Sequence, residues 1–289
     1  MKKAIIILIL IIVCAGVVLV LKVNSEQSFK KQQTFDAQQI EELEINNETW
    51  NILLESTDSN DLTIAIDGKQ QKKQNAPVEI KQDGKKINVL QHDTEEGFFK
   101  NISIGDKGTI RISIPNNTVH NIGVSNSNGD ININNLTTKD IIISSDSGYK
   151  VIKGLVADKG EFTSQDGELK MMDSTVNELT IAATNGDSYI TRVSSPQMKI
   201  TAGNGEVLMK EMDEEKSTFI ETGSGDFSVF YKHAPKSLEV VASSKSSDII
   251  VDLQGFKKET HTEDSMKGKI GEATKRLEII SESGVIQVK

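Results

Sequence analysis

Hydrophobic and polar residues alternate with period two along most of the chain after residue 40, and the alternation is punctuated by regularly spaced glycines. Gly129, Gly148, Gly167, Gly186, Gly205 and Gly225 stand 19, 19, 19, 19 and 20 residues apart. Five positions before each glycine are Val124, Ile143, Phe162, Ile181, Ile200 and Ile220. Four positions after it are Ile133, Ile152, Met171, Ile190, Met209 and Val229. Three positions before, every residue is short: Asn126, Ser145, Ser164, Ala183, Ala202 and Thr222. Alternation on both sides of the glycine predicts two strands, each with one face inward. The glycine predicts a corner, where φ is positive or two backbones come close.

A series of hairpins turning at Asn-Gly and Asp-Gly also fits strand–corner–strand units. Columns of like residues at a constant period favour a parallel β-solenoid with coils of about 19 residues, because coil stacking puts equivalent positions on top of one another. A looser unit, Lys245-Ser246-Ser247-Asp248, and a last corner at Gly284 follow. Seven steps of about 4.8 Å from Gly129 to Gly284 make a stack of roughly 34 Å.

Residues 40–117 are strand-like without the period. The expected strands are Ile40–Ile45, Trp50–Leu54, Leu62–Ile66, Val78–Ile80, Ile87–Leu90, Ile102–Ile104 and Ile110–Ile114, with turns at Asp67-Gly68 and Asp83-Gly84. This part reads as a β-rich cap or as irregular early coils, ahead of solenoid repeats over 118–289. Gly255–Arg276 is polar, interrupts the period and is expected as a surface loop or short helix. Leu277–Ile280 and Val285–Val288 are then expected to close the stack.

The first residues change the picture. Ala4 to Leu21 are 18 consecutive apolar residues between Lys2-Lys3 and Lys22. As a helix they would span about 27 Å, close to the ~30 Å hydrocarbon core of a bilayer. Residues 1–22 are therefore expected as a transmembrane anchor in contact with lipid through 4–21, and residues 23–39 as a polar stalk. A cleaved signal peptide competes, but its apolar region is usually about 7–15 residues. Cys14 is a poor lipidation site, with bulky Val13 before it and more apolar residues after it. Basic flanks nearly tie in number; a short basic N-terminal tail favours the inside, which sends the C-terminal domain out of the cytoplasm.

Composition agrees with this outline. Only 4% of the 289 residues are aromatic, and the net charge of −9 argues against a nucleic-acid partner. One cysteine excludes an intrachain disulfide framework.

Candidate chemistry is sparse. The residue after the corner glycine is acidic in most units: Asp130, Glu168, Asp187, Glu206 and Asp226, with Tyr149 as the exception and Asp248 in the looser unit. Solvated turn residues explain this row; a ladder for Ca²⁺ or Mg²⁺ is the sharper reading, although no known calcium-repeat spacing is present. His92, His120, His233 and His261 are far apart, with no ligand-spaced neighbour. Gly203-Asn204-Gly205 and Gly223-Ser224-Gly225 lack the context of a phosphate loop, and no nucleophile elbow occurs. Asp213-Glu214-Glu215 and Glu95-Glu96 are adjacent carboxylates of the solvated type. No catalytic residue, cofactor or resident metal is assigned.

The run Thr109-Ile110-Arg111-Ile112-Ser113-Ile114-Pro115, then Ile122-Gly123-Val124-Ser125-Asn126-Ser127-Asn128-Gly129-Asp130-Ile131, with its recurrent Ser/Asn-Gly-Asp corners, resembles the bacterial putative-adhesin family of β-solenoid domains of unknown function. The resemblance covers about residues 40–289. With the anchor, the chain is similar to LiaG-type proteins encoded with cell-envelope stress-response systems of Gram-positive bacteria. Lys150 and Ser188, where an apolar residue is usual, Tyr149 and the insertion near the C-terminus depart from the pattern. The resemblance carries over no catalytic residue. It implies a non-enzymatic, membrane-anchored scaffold or adhesin-like module outside the cytoplasm, contacting envelope proteins or cell-wall polymer. A cell-wall polysaccharide-processing enzyme and a cytoplasmic-facing regulator of membrane signalling are the alternatives.

Overall fold

A computed structural model describes residues 26–71, 76–92, 108–245 and 248–289; the apolar segment 4–21, Glu95-Glu96 and the strand expected at Ile102–Ile104 lie outside them. The described chain is all-β. The N-terminal strands are β1 (Glu26–Asp36), β2 (Glu42–Asn47), β3 (Asn51–Thr57), β4 (Asp61–Gln71), β5 (Val78–Asp83), β6 (Lys86–Gln91) and β7 (Gly108–Pro115). The repeats supply β8 (Asn121–Asn126), β9 (Ile131–Asn134), β10 (Asp140–Ser145), β11 (Lys150–Lys153), β12 (Val156–Ser164), β13 (Leu169–Ala183), β14 (Ser188–Ser194), β15 (Gln197–Ala202), β16 (Val207–Met212), β17 (Ser217–Thr222) and β18 (Phe227–Tyr231). β19 (Leu238–Ser244), β20 (Ile249–Val251), β21 (Lys257–His261), β22 (Ser265–Ile270), β23 (Lys275–Ser281) and β24 (Ile286–Val288) complete the chain.

The repeats form the expected parallel solenoid. Ile122 lies opposite Ile141, Ile143 opposite Phe162 and Ile181 opposite Ile200, each step 19 residues. The second strand of each coil keeps the same register, with Ile133 opposite Ile152 and Ile190 opposite Met209. One face of the stack runs β5–β6–β2–β8–β10–β12–β13–β15–β17–β23–β19–β22–β21, and the other runs β1–β4–β7–β3–β9–β11–β13–β14–β16–β18–β24–β20. β13 belongs to both because it continues round the far corner. The inward columns fill the core with Ile, Val, Leu and Met, each almost fully buried.

The corner glycines are required by contact more than by φ. Only Gly148 (+93°) and Gly167 (+88°) are left-handed. A Cβ on Gly186 would sit 1.8 Å from the Gly167 carbonyl oxygen, and one on Gly205 would sit 2.1 Å from that of Gly186. Each glycine lies on the carbonyl of the coil before it, from Trp50 under Gly129 to Gly225 under Gly284. The far corner is left-handed at Asn135, Gly154, Asp173, Arg192 and Glu211, again 19 residues apart.

Four expectations need correction. The part of the 23–39 stalk that is described holds β1, which pairs with β4 and sets Phe29 and Phe35 against the core. Asp67-Gly68 is no turn, since β4 runs straight through it; Asp83-Gly84 does begin the β5–β6 hairpin. Gly255–Arg276 contains the antiparallel β21–β22 hairpin rather than a helix or plain loop. The last coil does not close the stack: β23 lies between β17 and β19, and Gly284 packs directly on Gly225. At the other end β2 lies between β6 and β8. Antiparallel strands cover both ends of the first face and the N-terminal end of the second, whose other end is the parallel strand β20.

Replacing Gly186 with alanine is expected to cost about 3 kcal/mol of stability, because the carbonyl beneath cannot move without its coil. Gly84→Ala, with nothing within 4 Å of the added carbon, is expected to cost about 1 kcal/mol for its left-handed φ alone. Urea unfolding of the two variants measures the difference.

Candidate functional site

The corner row is the most distinctive surface feature, and its three aspartates are engaged with backbone. Asp130 Oδ1 accepts from the Tyr149 N–H of the next coil at 2.8 Å. Asp187 Oδ1 accepts from Glu206 N–H, and Asp226 Oδ1 from Val285 N–H, each at 2.8 Å. Asn51 Oδ1 begins the series by accepting from Asp130 N–H at 3.0 Å. The short side chain reaches one coil forward and satisfies a donor that the corner takes out of the ladder. Glu168 pairs instead with Lys170 at 2.5 Å. Glu206 lies half-buried in the same row. Among the described residues no three His, Cys, Asp or Glu side chains gather as metal ligands would.

Two positions earlier, just before the glycine, runs a second ladder that the sequence does not single out. Ser147 Oγ donates to Asn128 Oδ1 (2.9 Å), Asn185 Nδ2 to Asp166 Oδ1 (3.0 Å), Asn204 Nδ2 to Asn185 Oδ1 (2.8 Å) and Ser224 Oγ to Asn204 Oδ1 (3.1 Å). The signal was the recurrent Asn, Ser or Asp before the glycine. At the far corner Arg192 joins Asp173 (2.6 Å) and Glu211 (3.1 Å) across three coils. Asp173 is held below the usual carboxylate range, chiefly by the hydrogen bond from Arg192.

Beneath the glycines runs an inward polar column. Asn47 Nδ2 donates to the Trp50 carbonyl, Asn126 Nδ2 to that of Gly129, and Ser281 Oγ to that of Gly284. Ser145 and Ser164 return the same kind of bond to the Ser147 and Asp166 carbonyls, while Ala183 and Ala202 are short without being polar and the buried Thr222 hydroxyl has no partner. Lys150 serves the same end from an apolar column. It is 2% exposed, and its ammonium donates to the Gly148 carbonyl (3.0 Å), Ser164 Oγ (2.7 Å) and the Asp166 carbonyl (3.3 Å). Burial lowers its pKa, against the attraction of Asp130 and Asp166. Ser188, the other departure, is fully buried with no partner for its hydroxyl.

The remaining candidates are dispersed. His120 lies at a corner groove of about 320 Å³, with Val156 and Asp158; His261 ends β21; His92 and His233 lie in other connections. Glu214 accepts from Lys236 and Ser237 N–H; burial opposes its charge, but these bonds and Lys275 hold its pKa below the usual range. Glu215 accepts from Ser194 Oγ at 2.9 Å. Asp213-Glu214-Glu215 thus pins a loop. The outward strand faces carry isolated aromatic rings, with Lys170 over Tyr189 (5.6 Å) and Lys199 over Phe219 (5.9 Å).

This architecture is that of a bacterial β-solenoid family. The chain belongs to the Toastrack DUF4097 family, whose model matches residues 40–289. Among solved structures it is similar to a putative adhesin from Bacteroides fragilis, at 14% identity and a TM-score of 0.52, over 90% of this chain and 97% of that one. It is also similar to a putative lipid binding protein from Parabacteroides distasonis, at 11% identity and a TM-score of 0.51, over 90% and 97% of the two chains. These likenesses show the fold. Among curated proteins none matches the chain.

Two predictions follow from the corner. Because its aspartates are spent on backbone donors, millimolar Ca²⁺ is expected to leave the melting temperature unchanged; a rise of several degrees would reveal a cation site. Lys150 binds its proton less tightly folded than unfolded. Stability is then expected to rise with pH between its lowered folded pKa and the ordinary 10.5, because there the unfolded chain holds more protons. Denaturant midpoints across the alkaline range should show this rise in the wild type and lose it in Lys150→Met.

Proposed function

We propose that this chain is a non-enzymatic, adhesin-like module tethered to the cell membrane, with its solenoid outside the cytoplasm. Residues 4–21 anchor it, and the stacked coils display outward side chains for contact with envelope proteins or cell-wall polymer. One observation carries this reading most: four of the corner carboxylates, the usual raw material of a solenoid hydrolase, are committed, Asp130, Asp187 and Asp226 to backbone N–H groups and Glu168 to an ion pair. A general acid or base has to be free to exchange a proton with substrate. What is left at the surface is a set of rigid faces of fixed spacing, the property a scaffold needs. The neighbours described as a putative adhesin and a putative lipid binding protein agree with a binding role. A place in the cell-envelope stress response is the further part of the proposal.

Protease shaving of intact cells tests the placement. The account expects residues 40–289 to be cut without lysis; protection until lysis would favour a cytoplasmic-facing regulator. Crosslinking in membranes followed by capture tests the role. Recovery of an envelope protein or wall polymer is expected, and its loss is expected when outward residues such as Tyr189 and Phe219 are changed to alanine. Hydrolysis of purified wall glycan, abolished by one carboxylate substitution, would replace the proposal with an enzyme.

A further inference from the structure

The apolar columns cannot order the terminal coils. β6 and β8 present the same inward pattern, Ile87 and Val89 against Ile122 and Val124, and both flank β2. Either strand could take the inner place by burial alone. The same holds at the other end, where β19 offers Val240 and Ala242 and β23 offers Leu277 and Ile279. Yet both junctions depart from chain order: the earlier strand β2 lies inside β6 at one end, and the later strand β23 lies inside β19 at the other.

Charge distinguishes these junctions. Lys86 of β6 reaches Glu42 of β2 at 2.7 Å, whereas β8 sets uncharged Asn121 opposite the same glutamate. On the second face Arg111 of β7 pairs with Glu55 of β3 at 3.3 Å. Arg276 of β23 pairs with Glu239 of β19 at 2.5 Å, whereas β17 sets Ser217 opposite Arg276. Glu282, just past β23, pairs with Lys245, just past β19, at 2.9 Å. Between β8 and β18, by contrast, the described ion pairs that join consecutive coils are those of Arg192. Apart from Arg192 at its far corner, the described chain-ordered stack is held by its columns, and the out-of-order junctions carry the cross-strand charges.

We propose that these pairs are electrostatic clasps that hold each out-of-order terminal strand in its place and keep the hairpin caps closed over it. If β6 lay against β8, Lys86 would face Asn121 and Gly123 rather than Glu42 and Glu44, and β2 would be left with unpaired glutamates. If β19 lay against β17, Glu239 would face Ser217. Complementary charge favours the observed order, and the loss of those pairs disfavours its alternatives. Individual pairs are partly exposed and so individually weak. Their effect is therefore local opening of the ends rather than global unfolding.

Hydrogen exchange on the full chain, resolved by peptide, tests this. Lys86→Glu is expected to speed exchange in β5–β6 by about two- to fivefold and to leave β10–β16 unchanged. Adding Glu42→Lys is expected to restore the slow exchange. Arg192→Glu, which breaks the pairs between consecutive coils, is expected to leave both ends as they were. For the wild type, raising salt from dilute buffer to molar NaCl is expected to speed exchange at β5–β6 and β19–β22 selectively. Unchanged exchange in Lys86→Glu, a swap that fails to restore it, or a salt effect spread evenly over all coils would each overturn the proposal.

Discussion

The structure depends on one close contact, repeated: the α-carbon of a corner glycine resting on the carbonyl of the coil beneath. With a Cβ at these positions the contact would be about 2 Å, which no backbone tolerates, so any other residue would force neighbouring coils apart at that corner. With glycine, adjacent strands keep the ~4.8 Å separation that ladder hydrogen bonds require. Everything else follows from that fixed spacing. The inward columns meet their own kind, the Asn and Ser side chains reach exactly one coil along, and the corner aspartates find the next N–H.

The same constraint accounts for the surface. Because both ends of each strand are fixed by corners, outward side chains stand in rows whose spacing the backbone sets. Their carboxylates are drawn into the framework, as Asp130, Asp187 and Asp226 show. Among the described residues, these three aspartates serve the framework, and the outward rows present shape and pattern. That is the physical basis for the proposed interaction module in this member of the Toastrack DUF4097 family.

The solenoid was legible because a constant period repeats its evidence: six corners make a column where one Asn-Gly makes only a turn. Elements without repetition were less legible. β1 mixes Lys30, Lys31 and Gln33 with two phenylalanines, so its alternation is masked by long polar side chains that pair along an edge. β21 is polar because it is the outer strand and exposes every residue, and β22 brings only Met266 and Ile270 as buried apolar side chains, too few to show a pattern. The far corner was hidden for a different reason. Asn135, Gly154, Asp173, Arg192 and Glu211 share a left-handed φ without sharing a chemistry. Coil order was the least legible property, since every coil offers its neighbours the same apolar pattern. Lys150 shows the limit at a single site: its departure from the column was visible, but the three corner acceptors that explain it appear only in three dimensions.

The order in which glycines rest on carbonyls is the central claim, and cysteine pairs on outward positions measure it directly. Gln287 stands between Ser228 and Ile250 on adjacent strands. With Cys14 replaced by serine, Ser228→Cys with Gln287→Cys is predicted to form an intrachain disulfide quickly under mild oxidation. Ser228→Cys with Ile250→Cys, two coils or about 10 Å apart, is predicted to remain reduced. A disulfide that forms readily between 228 and 250 but not between 228 and 287 would place the coils in chain order and contradict the account.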